Sequence, residues 1–409
     1  MSPVKQDQLK STVADLAYFG GDSAFDEPLH VGRPNIGNRQ DFEERLADIL
    51  DRRWLTNGGR YVTEFENRIA ESVGVKHCVA MCNATVGLEI AIRALELTGE
   101  VIVPSFTFIA SAHALKWQGI TPVFCDIDRH TYNIDPARVE QLITPRTTAL
   151  LPVHIFGRPC DVEALQEIAT RRGLKLLFDS AHAFGCSHGD GMIGGFGDVE
   201  VFSFHATKFI NSMEGGAVVT NDTQLADKMR LMKNFGFSYY DQTDYIGTNG
   251  KMNEVSAAFG LTNLESMQDF IDVNYRNYQQ YAEELANIEG LSLITYNVEN
   301  KCNYQYVILE VDEEKTRVTR DQLVELLHAE NVLARRYFYP GCHRMEPYRS
   351  QYTGAGFTLP VTEQVSERVV ALPTGTAVGP QEISAICEIV RWTITNGAEV
   401  NERFSATPL

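Results

Sequence analysis

From about residue 60 to residue 265, short apolar runs alternate with stretches of helical period, and that alternation admits few folds. The runs EVIVP, TPVFCDI, TALLPVHIF, LKLLFD, VEVFSF and GAVVT read as strands of a sheet covered on both faces. Helix starts lie between them. Asp135 before Pro136 and Asp161 before Val162 each set a capping acid ahead of an amphipathic segment. Alternation of this kind predicts an α/β fold built on a mostly parallel sheet. After Leu264 the pattern changes. A polar helix over about 265–288 leads to strand-like LSLITY and YQYVILEV, and PQEISAICEIVRWTI closes the chain as a final helix. A chain of 409 residues exceeds the usual single core. The expected division is residues 1–50 as a segment packing on the smaller domain or on a partner subunit, 51–265 as the large domain, and 266–409 as a smaller α/β domain.

Two of the predicted strands end in reactive residues. VEVFSF runs into His205-Ala206-Thr207-Lys208, then Glu214-Gly215-Gly216 and the strand GAVVT; LKLLFD ends at Asp179, with His182 three residues on. A lysine and an aspartate at strand ends suit pyridoxal phosphate (PLP), which needs an amine to form an imine and a carboxylate against its pyridine nitrogen. Burial at a strand end lowers a lysine's pKa and frees its amine for attack on a carbonyl, whereas an ordinary loop lysine stays solvated and charged. Asp179 has a plainer alternative as a helix cap, and His182 is equally open to stacking near the cofactor or to a structural place.

A phosphate needs a cradle. Asn83-Ala84-Thr85 follows the apolar VKHCVA and opens the helical LEIAIRAL, so the Ala84 and Thr85 backbone and the Thr85 hydroxyl sit at a helix N-terminus, where anions bind. The same tripeptide is also a plain cap. Ser203 offers another hydroxyl, and Phe108, after EVIVP, an aromatic to cover the ring or to fill the core. GDGMIGGFGD has no G-K-[ST], and its glycines, the Gly189-x-Gly191-x-x-Gly194 spacing included, read as a hairpin between two apolar segments, so nucleotide-fold chemistry is not supported.

A net charge of −18 argues against a nucleic-acid surface. Eight cysteines without a CxxC pair predict neither a disulfide scaffold nor a metal site. The opening MSPVKQDQLKS lacks the apolar stretch of a signal peptide, and no run approaches a membrane span, so a cytoplasmic protein is expected.

The ordered motifs WLTNGGRYVTEFE, CNATVGLEIAIRAL, VPSFTFIASAHAL, PVFCDID, PVHIFGRPCD, DSAHAFG, FSFHATKFINSMEGG, KMNEVSAAFGLTNL, YFYPGCH and LPTGTAV cover roughly residues 30–395. In them the chain resembles the PLP-dependent nucleotide-sugar aminotransferases of the DegT/StrS type. LAYFGGDSAFDEPLHVGRPN and YFYPGCHRMEPYR bring it nearest to the TDP-4-keto-6-deoxy-D-glucose 4-aminotransferases of antibiotic deoxysugar pathways. The resemblance implies fold type I, with a seven-stranded large domain and a smaller C-terminal one. It assigns Lys208 to the Schiff base, Asp179 to the pyridine nitrogen and His182 to the phenolic oxygen. Phe108 would cover the ring, and Ala84, Thr85 and Ser203 would surround the phosphate. The family's phosphate loop usually carries a glycine where this chain has Ala84. A further phosphate ligand would come from the neighbouring subunit of a homodimer, through Asn249 or Lys251.

The implied reaction is a ping-pong transamination from L-glutamate to the C4 ketone of the TDP-sugar. Amination at C3 and a non-catalytic sugar-nucleotide binder are the alternatives. Arg335, Arg336 and His343 are candidates for the pyrophosphate. Cys342, on a Pro-Gly-Cys turn, raises a rival desulfurase reading, which needs a mobile reactive thiol.

Overall fold

The structure, a computed structural model, describes residues 10, 12–351 and 357–406. Residues 1–9 and 11, on which the reading of the N-terminus rests, lie outside them. Seven strands form the central sheet: β1 His77–Met81, β2 Glu100–Pro104, β3 Thr121–Cys125, β4 Thr147–Leu150, β5 Lys175–Asp179, β6 Val199–Ser203 and β7 Gly216–Thr220. Their order is β1-β7-β6-β5-β4-β2-β3. β7 is antiparallel to both neighbours and the other pairings are parallel. Every residue of β2 and β7 is buried, as strands covered on both faces must be. Glycine lets one helix approach the sheet closely. A Cβ on Gly87 in the helix Ala84–Ala94 would meet Val201 at 3.2 Å and Val218 at 3.3 Å.

The run TALLPVHIF departs from its predicted strand. β4 stops at Leu150, because Pro152 has no N–H to extend the ladder. Val153 makes a lone bridge to Asp179, and Ile155–Gly157 forms a 3-10 turn with Phe156 at φ 56°. That turn brings the Phe156 ring parallel to His182 at 6.1 Å. The polar helix predicted over 265–288 is Met267–Glu284, which follows Glu254–Glu265 across a break at Ser266. The glycine-rich stretch turns at Gly189-Asp190, between antiparallel Ser187–His188 and Gly191–Met192.

A second, antiparallel sheet contains β8 Leu291–Leu293, β9 Val307–Val311 and β10 Val369–Leu372. The helices Arg320–Ala329 and Pro380–Thr395 share its apolar core with Val13, Leu16, Phe25 and Leu29 of the N-terminal segment. Farther along, Asn35 is buried between the two halves. Its Nδ2 donates to the Phe209 carbonyl (3.1 Å) and its Oδ1 accepts from Thr376 N–H (3.0 Å). Among the described residues no helix is long and apolar enough to cross a membrane.

Candidate active site

In a parallel sheet the strand ends collect on one edge, and the loops beyond that edge form the usual ligand crevice. Here that edge gathers the turn Asn83–Thr85 after β1, Phe108 after β2, Asp179 at the end of β5 and Ser203–Lys208 after β6. The antiparallel β7 begins at the same edge, with Gly216 paired to Ser203.

Lys208 is partly buried, and its Nζ lies 3.3 Å from the Tyr306 hydroxyl. Desolvation pulls its pKa down to about 8 and the Asp179 charge opposes that fall, so at pH 7 about a tenth carries a free amine, far more than for an ordinary lysine. Asp179 is buried. Burial pushes its carboxyl up, while hydrogen bonds from the Ser111 hydroxyl (2.7 Å) and the Ala181 N–H (3.1 Å), with Lys208 nearby, favour the carboxylate. His182 is buried and held neutral, well below the usual histidine range, by desolvation and by Lys208. Its Nδ1 accepts from the Phe156 N–H at 3.3 Å, which leaves the proton on Nε2.

The phosphate cradle has a definite shape. Asn83 caps the helix Ala84–Ala94 by accepting from Val86 N–H (2.8 Å), and Gly87 N–H bonds the Asn83 carbonyl. The Ala84 and Thr85 amides are left as unengaged donors among the described residues. Gly216 closes the space between them and Ser203, since a Cβ there would stand 2.6 Å from the Ala84 nitrogen. The residues present therefore fit a PLP phosphate. Gly216→Ala should push this turn outward and weaken PLP binding about 10-fold to 100-fold, read by titrating apoprotein with the cofactor.

Phe108 is 60% exposed whereas Phe106 is fully buried, so Phe106 fills the core and Phe108 keeps a free aromatic face at the edge. Asn249 and Lys251 lie on the outer side of edge strand β1. Lys251 bridges Met81, and its Nζ donates to Asn249 Oδ1 at 2.7 Å. Within one chain they are engaged with each other.

The pyrophosphate candidates separate. His343 is buried, its Nδ1 2.6 Å from the Ser105 hydroxyl and its Nε2 3.0 Å from Glu363, so it ties elements together and has no free face. Arg336 pairs with Asp321 at 3.2 Å, and Arg335 lies exposed over the Tyr337 ring. Cys342 is fully buried with Sγ 3.3 Å from the Thr107 carbonyl, and desolvation pushes its thiol up to about 12. Such a thiol is neither mobile nor nucleophilic, against what a desulfurase needs. Sequence reading missed Ser111, Phe156 and Tyr306. Ser111 had a signal, since it lies three residues past Phe108 in a quoted motif.

A free amine near neutrality has a kinetic consequence. The rate at which apoprotein takes up PLP should rise about tenfold per pH unit below pH 8 and level off above it, because the neutral amine is the reactant. Stopped-flow absorbance measures it; an ordinary lysine, at 10.5, would keep the rate climbing to much higher pH.

The sequence profile of the DegT/DnrJ/EryC1/StrS aminotransferase family matches residues 37–391. Over 374 residues the chain is 36% identical to a dTDP-4-amino-4,6-dideoxy-D-glucose transaminase of Escherichia coli, a match covering 89% of this chain and 98% of that protein. It is 34% identical to the GDP-perosamine synthase of Escherichia coli O157:H7, over 88% of this chain and 97% of the relative. Among solved structures it superposes on DesI, determined in the presence of its TDP-sugar product, with a TM-score of 0.93 and 49% identity. That match covers 96% of this chain and all of DesI. Helicobacter pylori PseC, an aminotransferase involved in pseudoaminic acid biosynthesis, matches with a TM-score of 0.83 and 26% identity, over 90% of this chain and 100% of PseC. On its sheet, its strand-end lysine and aspartate and these likenesses, the chain belongs to the PLP-dependent DegT/DnrJ/EryC1/StrS aminotransferase family and has its fold type I architecture.

Proposed function

We propose that the protein transfers an amino group from L-glutamate to the C4 ketone of TDP-4-keto-6-deoxy-D-glucose, giving TDP-4-amino-4,6-dideoxy-D-glucose in deoxysugar biosynthesis. The observation that carries the reaction class is the meeting, on one sheet edge, of a lysine brought down to about 8 and a buried, hydrogen-bonded aspartate. The sugar rests on the 49% identity to DesI and the 36% identity to the named transaminase.

Bound PLP supplies an electron-accepting ring conjugated to the substrate's carbon–nitrogen bond. The chain supplies the rest. Lys208 Nζ takes the α-proton of the amino donor and later returns a proton to the sugar's C4, general acid–base work at one nitrogen. The Asp179 carboxylate, fixed by Ser111 and Ala181, holds a proton on the pyridine nitrogen. His182 offers its Nε2–H as a donor beside the phenolic oxygen. The Ala84 and Thr85 amides, the Thr85 hydroxyl and Ser203 bind the phosphate, and Phe108 covers the ring face. The working unit is a homodimer in the cytoplasm, in which Asn249 or Lys251 of one chain reaches the phosphate of the other.

Incubation with TDP-4-keto-6-deoxy-D-glucose and L-glutamate tests the assignment through the NMR spectrum of the product. Nitrogen on C4 supports it; nitrogen on C3 of a 3-keto isomer, or no amination, contradicts it.

A further inference from the structure

We propose that Tyr306 is a positioning residue for Lys208: its hydroxyl holds the lysine amine on line for proton transfer while that amine is free of the cofactor. The inference rests on Lys208 being the proton-transfer group.

Tyr306 stands just ahead of β9, in the sheet of the smaller half, yet its hydroxyl crosses to Lys208 Nζ at 3.3 Å. Among the described residues it is the hydrogen-bond partner of that amine. The ring has little freedom to move away. It is 5% exposed and packs at 4.6 Å from His182 and 5.3 Å from Phe156, while Tyr337 closes in at 6.2 Å. The Tyr306 carbonyl accepts from the Tyr296 hydroxyl at 2.6 Å, which anchors the backbone independently of the phenol. A lysine side chain has four rotatable bonds and loses its aim unless something fixes its tip.

A neutral phenol suits the task. Its oxygen accepts from an ammonium and its proton can go to a free amine, so one group holds Lys208 in both states of a proton-transfer cycle. Desolvation, with Tyr337 and Asp179 adding to it, keeps the phenol protonated far above its ordinary range. Asp179 and His182 face the same amine, the first favouring its charged form and the second held neutral. The bond to ammonium is charge-assisted and stronger than the one to neutral amine, which fixes the sign of the test.

The test compares Tyr306→Phe, Tyr296→Phe and Lys208→Ala with the parent enzyme. In cofactor-free protein, the pH dependence of Lys208 methylation by formaldehyde and cyanoborohydride, read by peptide mass spectrometry, reports the amine directly. Tyr306→Phe should lower its midpoint by roughly half a pH unit, and Tyr296→Phe should leave it in place. In the loaded enzyme, Tyr306→Phe should cut kcat on the order of 10²-fold with little change in the KM for L-glutamate. It should also enlarge the isotope effect from α-deuterated L-glutamate, because C–H cleavage becomes slower. An unmoved midpoint together with a parental kcat and isotope effect overturns the role of Tyr306, provided Lys208→Ala is inactive. A Lys208→Ala enzyme that turns over overturns the reading beneath it.

Discussion

Lys208→Ala should lower kcat by at least about 10⁴-fold, the upper end of what a positioned acid–base group contributes, while the protein still folds. The lysine sits in a loop and is partly buried, with its amine in one 3.3 Å hydrogen bond to Tyr306, so truncation removes little packing. The variant should also lose a charge that burial disfavours. Lysine's pKa falls from 10.5 to about 8 on folding, so the unfolded chain binds the extra proton between those values. The penalty is therefore full below pH 8 and fades as pH rises toward 10.5. Apoprotein of Lys208→Ala should melt higher than the parent at pH 7, by a margin that shrinks as pH is raised through that window. Paired melting curves at pH 7 and pH 10 check the sign.

Asp179→Ala should cost on the order of 10³-fold in kcat, comparable with deleting a preorganised electrostatic contact in a water-poor site. Its carboxylate is aimed by Ser111 from the helix Ala110–Trp117 and by Ala181 from its own loop. Asp179→Asn keeps the shape but removes the charge that holds the pyridine proton, so it should fall nearly as far. Steady-state kinetics on both variants separate charge from shape. An Asp179→Asn enzyme at the parental rate would contradict the role given to the carboxylate.

The fold was legible because its signals are local. A buried strand, a turn and a capped helix each announce themselves within a dozen residues, and Lys208 and Asp179 each adjoin such a strand. What was hidden depends on distant contacts or on a broken local rule. Tyr306 meets Lys208 across 98 residues of chain, and no period or motif links them. Phe156 reaches His182 because Pro152 ends a run that reads as one continuous strand. His343 looked like an anion ligand from its basic neighbours, yet Ser105 and Glu363, from opposite halves of the sequence, enclose it. Buried polar groups are assigned by their partners, and partners lie beyond the reach of a local window.

Glutamate-dependent transamination at Lys208 is tested by the absorption spectrum of PLP-loaded protein before and after addition of L-glutamate, with 2-oxoglutarate measured alongside. The expected result is a yellow protein that bleaches on addition of glutamate and releases one 2-oxoglutarate per site without any sugar present. A protein that binds PLP but keeps its colour and releases no 2-oxoglutarate would contradict glutamate-dependent transamination, and one that never turns yellow would take Lys208 out of the chemistry.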